Sequence, residues 1–92
     1  MATHLRIVGL VQGVGYRASF EAQAHALKLT GWVRNRRDGS VEAVVDGTPD
    51  AVEKIIAWSR RGPSTARVTE VVVSDIDDAS VADDQFEVRP TA

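Results

Sequence analysis

The 92-residue sequence contains no cysteine. A disulfide framework, a thiolate nucleophile and a Cys-ligated metal are therefore excluded, and a reducing compartment fits. Long apolar runs are missing as well. Those present cover a few residues, far short of the ~20 that a membrane-crossing helix needs. The opening Met1-Ala2-Thr3-His4-Leu5-Arg6 lacks the apolar core of a secretory leader, so a cytoplasmic location is expected. Nor is there an excess of basic charge: Lys and Arg number 11 against 13 Asp and Glu, for a net charge of −2. That argues against a general nucleic-acid binder. Repeats and low-complexity segments are absent too. What remains is 43% hydrophobic and 26% charged, ordinary for a soluble globular chain. Residues 1–92 are expected to form one domain, with a core that needs no staples.

The stretch Gly9-Leu10-Val11-Gln12-Gly13-Val14-Gly15-Tyr16-Arg17-Ala18-Ser19-Phe20 organises the rest. An apolar strand ends, two glycines follow, and a helical period begins. Glycines at 13 and 15 let the backbone turn so that successive N–H groups face one hollow. A helix N-terminus adds unpaired N–H groups and partial positive charge, and Arg17 adds a planar fork of donors. This is a cradle for a phosphate-sized anion. It is not a Walker loop, because no Gly-Lys-Ser/Thr closes it. As a dinucleotide fingerprint it has Ala18 in the third position and only Asp38 as the distant acid, in a unit too short for a nucleotide domain. The alternative is a glycine-rich turn whose arginine is merely solvated.

The chain in order predicts a central strand over 4–11 with apolar residues on both faces. A helix from Ala18 to Leu29 follows, with Phe20, Ala24 and Leu27 as its buried stripe. Glu21, His25 and Lys28 fall on the wet face, so His25 is read as a solvated surface residue. Thr30-Gly31 is the expected helix stop. A strand from Trp32 to Arg36 turns at Asp38-Gly39 into a return strand from Ser40 to Asp46. Val33 and Asn35 share one face of the first of these; Trp32, Arg34 and Arg36 share the other. On the return strand Val41, Ala43 and Val45 face one side, with Glu42 and Asp46 on the other. Thr48 is the expected N-cap of a second helix, with Pro49 at its first position and Val52, Ile55 and Ile56 as its stripe. Gly62-Pro63 ends it, and Arg60-Arg61 complement its dipole. Ala66 to Ile76 reads as a long strand. Asp75, Asp77, Asp78, Asp83 and Asp84 surround a loop that lacks the glycine and glutamate of a calcium site, so a solvated acidic loop is expected. Residues 85–89 form a last edge strand, with Phe86 and Val88 facing inward and Pro90 ending it.

Helices with one apolar stripe must cover one side of a sheet. The expected architecture is α+β, a two-layer sandwich with the split βαβ arrangement (βαββαβ) and two helices on one face of a mixed, mainly antiparallel sheet. Asn35 needs a reason to sit in a strand, since asparagine disfavours strands. By composition alone the favoured reason is structural, that it begins the hairpin turn or satisfies a nearby backbone group; service to the cradle is the second.

Gln12-Gly13-Val14-Gly15-Tyr16-Arg17 resembles the phosphate-loop signature of the acylphosphatase family. Gly31-Trp32-Val33-Arg34-Asn35, followed by Asp38-Gly39-Ser40-Val41-Glu42 and Gly47, resembles its second signature, in the same order and spacing. Gly62-Pro63, Ala66-Arg67-Val68 and Phe86 resemble its C-terminal half. The resemblance implies the ferredoxin-like fold and hydrolysis of acyl phosphates to carboxylate and inorganic phosphate. It further implies that Arg17 binds the phosphoryl group with the amides of Gln12 to Tyr16, and that Asn35 positions the attacking water. No metal, cofactor, nucleic acid or membrane is implied, and a monomer is expected. One RNA-binding module shares the topology but needs stacking aromatics on its central strands, and neither Leu5–Val11 nor Ser40–Asp46 carries one.

Overall fold

Alternation of apolar and polar residues builds a sheet, and the two helices cover one of its faces. The computed structural model describes residues 2–76 and 85–92. The elements are β1 (Ala2–Leu10), α1 (Tyr16–Ala26), β2 (Thr30–Asn35), β3 (Val41–Asp46), α2 (Pro49–Ser59), β4 (Arg67–Ile76) and β5 (Phe86–Val88). The sheet runs β4-β1-β3-β2-β5. Its pairings are antiparallel except the last, where β5 lies parallel to β2 with Gly31 beside Phe86. This is the expected ferredoxin-like two-layer sandwich. The acidic loop residues Asp77, Asp78, Asp83 and Asp84 lie outside the described residues. Among the described residues, no helix is long and apolar enough to cross a membrane.

The core forms between sheet and helices. Leu5, Ile7, Val33, Val41, Ala43 and Val45 supply its floor; Tyr16, Phe20, Ala24 and Ile55 supply its roof. Each such large side chain contributes about 1.5–3 kcal/mol by leaving water. Phe20 sits at the centre of an aromatic group, with ring centroids 6.3 Å from Tyr16, 5.8 Å from Trp58 and 5.9 Å from Phe86. A smaller cluster of Ala2, Trp32 and Val44 lies on the open face. There Arg34 and Arg89 stack on the Trp32 ring, their guanidinium carbons 4.7 and 4.8 Å from its centroid.

Several expectations need correction. The first helix starts two residues early, at Tyr16, and stops at Ala26 rather than Leu29. Its stop is not Thr30-Gly31. Lys28 takes the left-handed position at φ 58°, and the N–H groups of Lys28 and Leu29 return to the carbonyls of His25 and Ala24. That double bond is a Schellman motif closed by a lysine instead of a glycine. Gly31 instead lies within β2, where a Cβ would collide with the Val44 carbonyl of the neighbouring strand. On α2 the deepest line is Ala51, Ile55 and Ser59; Val52, Ile56 and Trp58 flank it, partly buried. Val88 shares the inner face of Val33 by register, yet at the sheet edge it is 38% exposed. On β1 the outer Leu10 is 59% exposed, so the apolar character of that strand's outer face does not mean burial. Thr48 caps α2 as expected, its hydroxyl accepting the Ala51 N–H at 3.2 Å.

Candidate functional site

The loop after β1 opens onto the N-terminus of α1. Gly15 is the N-cap, at φ 78° and ψ 14°, and Gly13 also has positive φ, at 73°. These left-handed values favour glycine, which has no Cβ to clash. A glycine cap brings no side chain to satisfy the helix N–H groups. The first intrahelical bond runs from the Ser19 N–H to the Gly15 carbonyl at 3.0 Å. Among the described residues, the N–H groups from Gly13 to Ala18 have no acceptor. A run of free donors at the positive end of a helix is a ready anion site.

A cavity of about 190 Å³ opens here, lined by Val11, Gln12, Gly13, Gly15, Tyr16, Arg17, Ala18 and Asn35. It has room for a phosphoryl group and an attending water, which occupies about 30 Å³ in the liquid. Arg17 and Asn35, 18 residues apart in the numbering, therefore share one hollow. Arg17 is half-buried and, among the described residues, makes no ion pair or hydrogen bond. Asn35 ends β2 on the inner face, two residues beyond the fully buried Val33. Its side-chain oxygen is buried and has no partner among the described residues. An orphaned buried acceptor costs about 1–3 kcal/mol, so its place in the cavity wall calls for a ligand.

The backbone around Asn35 is held firmly. Its carbonyl accepts the Ala92 N–H at 3.0 Å, and the Arg37 N–H donates to the Ala92 oxygen at 2.9 Å. Beyond it the hairpin closes through Arg36 N–H to the Ser40 carbonyl at 2.8 Å and Gly39 N–H to the Arg36 carbonyl at 3.1 Å. The Asp38 carboxylate accepts the Ser40 hydroxyl at 2.6 Å and the Ser40 N–H at 2.9 Å. These bonds, with Arg6 beside it, hold the Asp38 carboxyl well below the usual carboxylate range.

The other residues expected in the cradle divide. Tyr16 presents its backbone, while its ring is buried and its hydroxyl donates to the Ser59 carbonyl at 2.8 Å. Burial pushes that phenol far above its ordinary titration range. The side-chain nitrogen of Gln12 donates to the carbonyls of Arg36 and Ser40. Val14 does not line the cavity. It packs partly against the core, and its carbonyl accepts the Thr65 hydroxyl at 2.7 Å. Sequence reasoning missed Ala18 as a lining residue; a helix started at Tyr16 would have placed its N–H in the first turn. His25 is exposed and lies outside this cavity. Among the described residues, no group of three or more His, Asp or Glu converges as for a metal ion.

The acylphosphatase family model matches residues 3–88. An acylphosphatase of Burkholderia thailandensis is 48% identical over 88 residues, covering 96% of this chain and 76% of that protein. The crystal structure of the Bacillus subtilis acylphosphatase superposes with a TM-score of 0.85 at 30% identity, covering 96% of this chain and 97% of its own. The structure of an acylphosphatase from Coxiella burnetii gives 0.87 at 38% identity, with coverage of 96% and 90%.

Proposed function

The chain belongs to the acylphosphatase family, hydrolases of acid anhydrides, and from that premise we propose that the cavity beside Arg17 and Asn35 hydrolyses acyl phosphates by water attack on phosphorus. One observation carries this reading. A guanidinium, a buried amide oxygen and a run of backbone N–H groups, all without partners among the described residues, meet in one phosphoryl-sized hollow.

Phosphoryl transfer depends chiefly on positioning and on neutralising the three equatorial oxygens. The N–H groups of Gly13 and of Gly15 to Arg17, with the Arg17 fork, supply both. The Asn35 oxygen accepts a hydrogen bond from the incoming water and so turns the water's lone pair toward phosphorus. The new P–O bond forms from that water as the bond to the acyl oxygen breaks. The carboxylate departs with the electron pair, and the water proton passes to a phosphate oxygen. A carboxylate is stable without a proton at pH 7, so neither a general acid nor a Lewis acid is required. The alkoxide of a simple phosphate ester would leave poorly from such a site. The reading includes the cytoplasmic location and monomeric state expected from the sequence.

The test is release of inorganic phosphate from acetyl phosphate in the presence of EDTA, beside a phosphate monoester. Turnover of the anhydride alone is expected. Loss of activity on chelation, or equal turnover of the monoester, overturns the proposed mechanism.

A further inference from the structure

We infer that Gln12 is a positioning residue that sets the distance between the cradle and Asn35. The inference rests on the function proposed above and deepens it. The Arg17 arm follows β1, and the Asn35 arm ends β2. These strands are not neighbours, because β3 lies between them. The β1–β3 ladder ends at the Ile7–Val41 pair, so no sheet bond ties residues 11–18 to the hairpin. Among the described residues, Gln12 alone makes hydrogen bonds across that gap. Its Nε2 donates to the Arg36 carbonyl at 2.6 Å and to the Ser40 carbonyl at 2.8 Å, the two ends of the hairpin loop.

Arg36 directly follows Asn35, whose own side chain has no partner among the described residues to orient it. The place of its amide thus depends on the backbone frame that Gln12 anchors. Both carbonyls have a second donor. Gly39 N–H also serves the Arg36 carbonyl, and Arg36 N–H also serves the Ser40 carbonyl. Removing Gln12 therefore empties neither acceptor, and the fold survives. What changes is the spacing of the two arms, and a shift of about 1 Å in such a site can cost on the order of 10²-fold.

Gln12→Met keeps the side-chain length and removes the donor. Its kcat on acetyl phosphate is expected to fall on the order of 10- to 10²-fold, with inorganic phosphate binding by calorimetry nearly unchanged. In an Asn35→Ala background the same substitution should cost almost nothing further, because Gln12 acts through Asn35. A Gln12→Met protein with native kcat overturns the inference. So does one that fails to fold, one whose loss multiplies in the Asn35→Ala background, or one whose phosphate affinity falls in step with kcat/KM, as for a direct phosphate ligand. If the wild-type protein releases no phosphate from acetyl phosphate, the underlying function fails instead. The inference is then read from the NMR signal of the Asn35 side-chain amide, which must shift in Gln12→Met; an unmoved signal sinks it separately.

Discussion

The open face around Glu42 and the cavity beside Asn35 share strand β2, yet they treat their polar groups in opposite ways. On the open face the Glu42 carboxylate accepts from His4 at 2.7 Å, Arg34 at 2.7 Å and Arg36 at 3.0 Å. Arg6 pairs with Asp38 at 3.1 Å. In the cavity, the Arg17 guanidinium, the Asn35 oxygen and the N–H groups of Gly13 and of Gly15 to Ala18 have no partner among the described residues. Among the described residues the open face has one orphan as well, the buried Trp32 indole N–H. It stands alone beneath two arginines, whereas the cavity gathers an acceptor, a cation and a row of donors. Polar groups that hold this fold are paired within it. A convergent set left unpaired is what a ligand would complete.

Removing the cation is the sharpest way to break that contrast. Arg17→Ala should lower kcat/KM for acetyl phosphate on the order of 10³-fold or more, raising KM and collapsing kcat together, since charge neutralisation is lost in both ground and transition states. Because the Arg17 guanidinium has no partner among the described residues, the melting temperature should barely move. A near-native kcat/KM would show that the unpaired guanidinium is only solvated. Asn35→Ala comes next. It should leave KM close to wild type and cost on the order of 10²–10³ in kcat, the scale of losing one hydrogen-bonding group positioned for the transition state. Deleting an unpartnered oxygen should also leave the protein no less stable. Normal turnover in steady-state assays would refute the water-positioning role.

The elements that could be read in advance are those that local signals decide. Val41, Ala43 and Val45 alternate with Glu42 and Asp46, so the faces of β3 follow from the period alone. Thr48-Pro49 marks the start of α2 through a cap whose chemistry lies in the side chain. The boundaries of α1 are hidden because both its ends are made by backbone. Its cap is a glycine, and its stop is a lysine in a left-handed conformation that residue preference would not assign. Burial of Ser59 is equally invisible. It depends on the Tyr16 hydroxyl reaching its carbonyl from 43 residues away, while its own hydroxyl turns back to the Ile56 carbonyl. At the cavity, residue types and spacing alone favour a hairpin-turn role for Asn35 over a ligand group. The resemblance to a known family singled it out, and the fold brings it into the wall that Arg17 also lines. The separate fates of Gln12, Val14 and Tyr16 depend on contacts with the hairpin, Thr65 and Ser59, which no local pattern encodes.

The smallest expected effect tests the paired side of the contrast. Burial works to raise the pKa of Glu42, but the hydrogen bonds from His4, Arg34 and Arg36 outweigh it and bring the value from 4.5 down to about 2. Between those values the unfolded chain takes up a proton that the folded chain refuses. The stabilisation from ionised Glu42 is therefore complete above about pH 4.5 and is lost as the pH falls toward 2. Glu42→Gln should cost on the order of 1 kcal/mol at neutral pH after solvent screening of a partly exposed network. The gap to wild type should then close as the pH drops through that window, measured by urea unfolding at a series of pH values. A gap that stays constant with pH would mean that the charge on Glu42 adds nothing and only its shape matters. Turnover at pH 7 should change little, because Glu42 does not line the cavity. If kcat instead fell as far as in Asn35→Ala, the network would be setting the geometry of the site through Arg34 and Arg36. The two sides of β2 would then act as one unit.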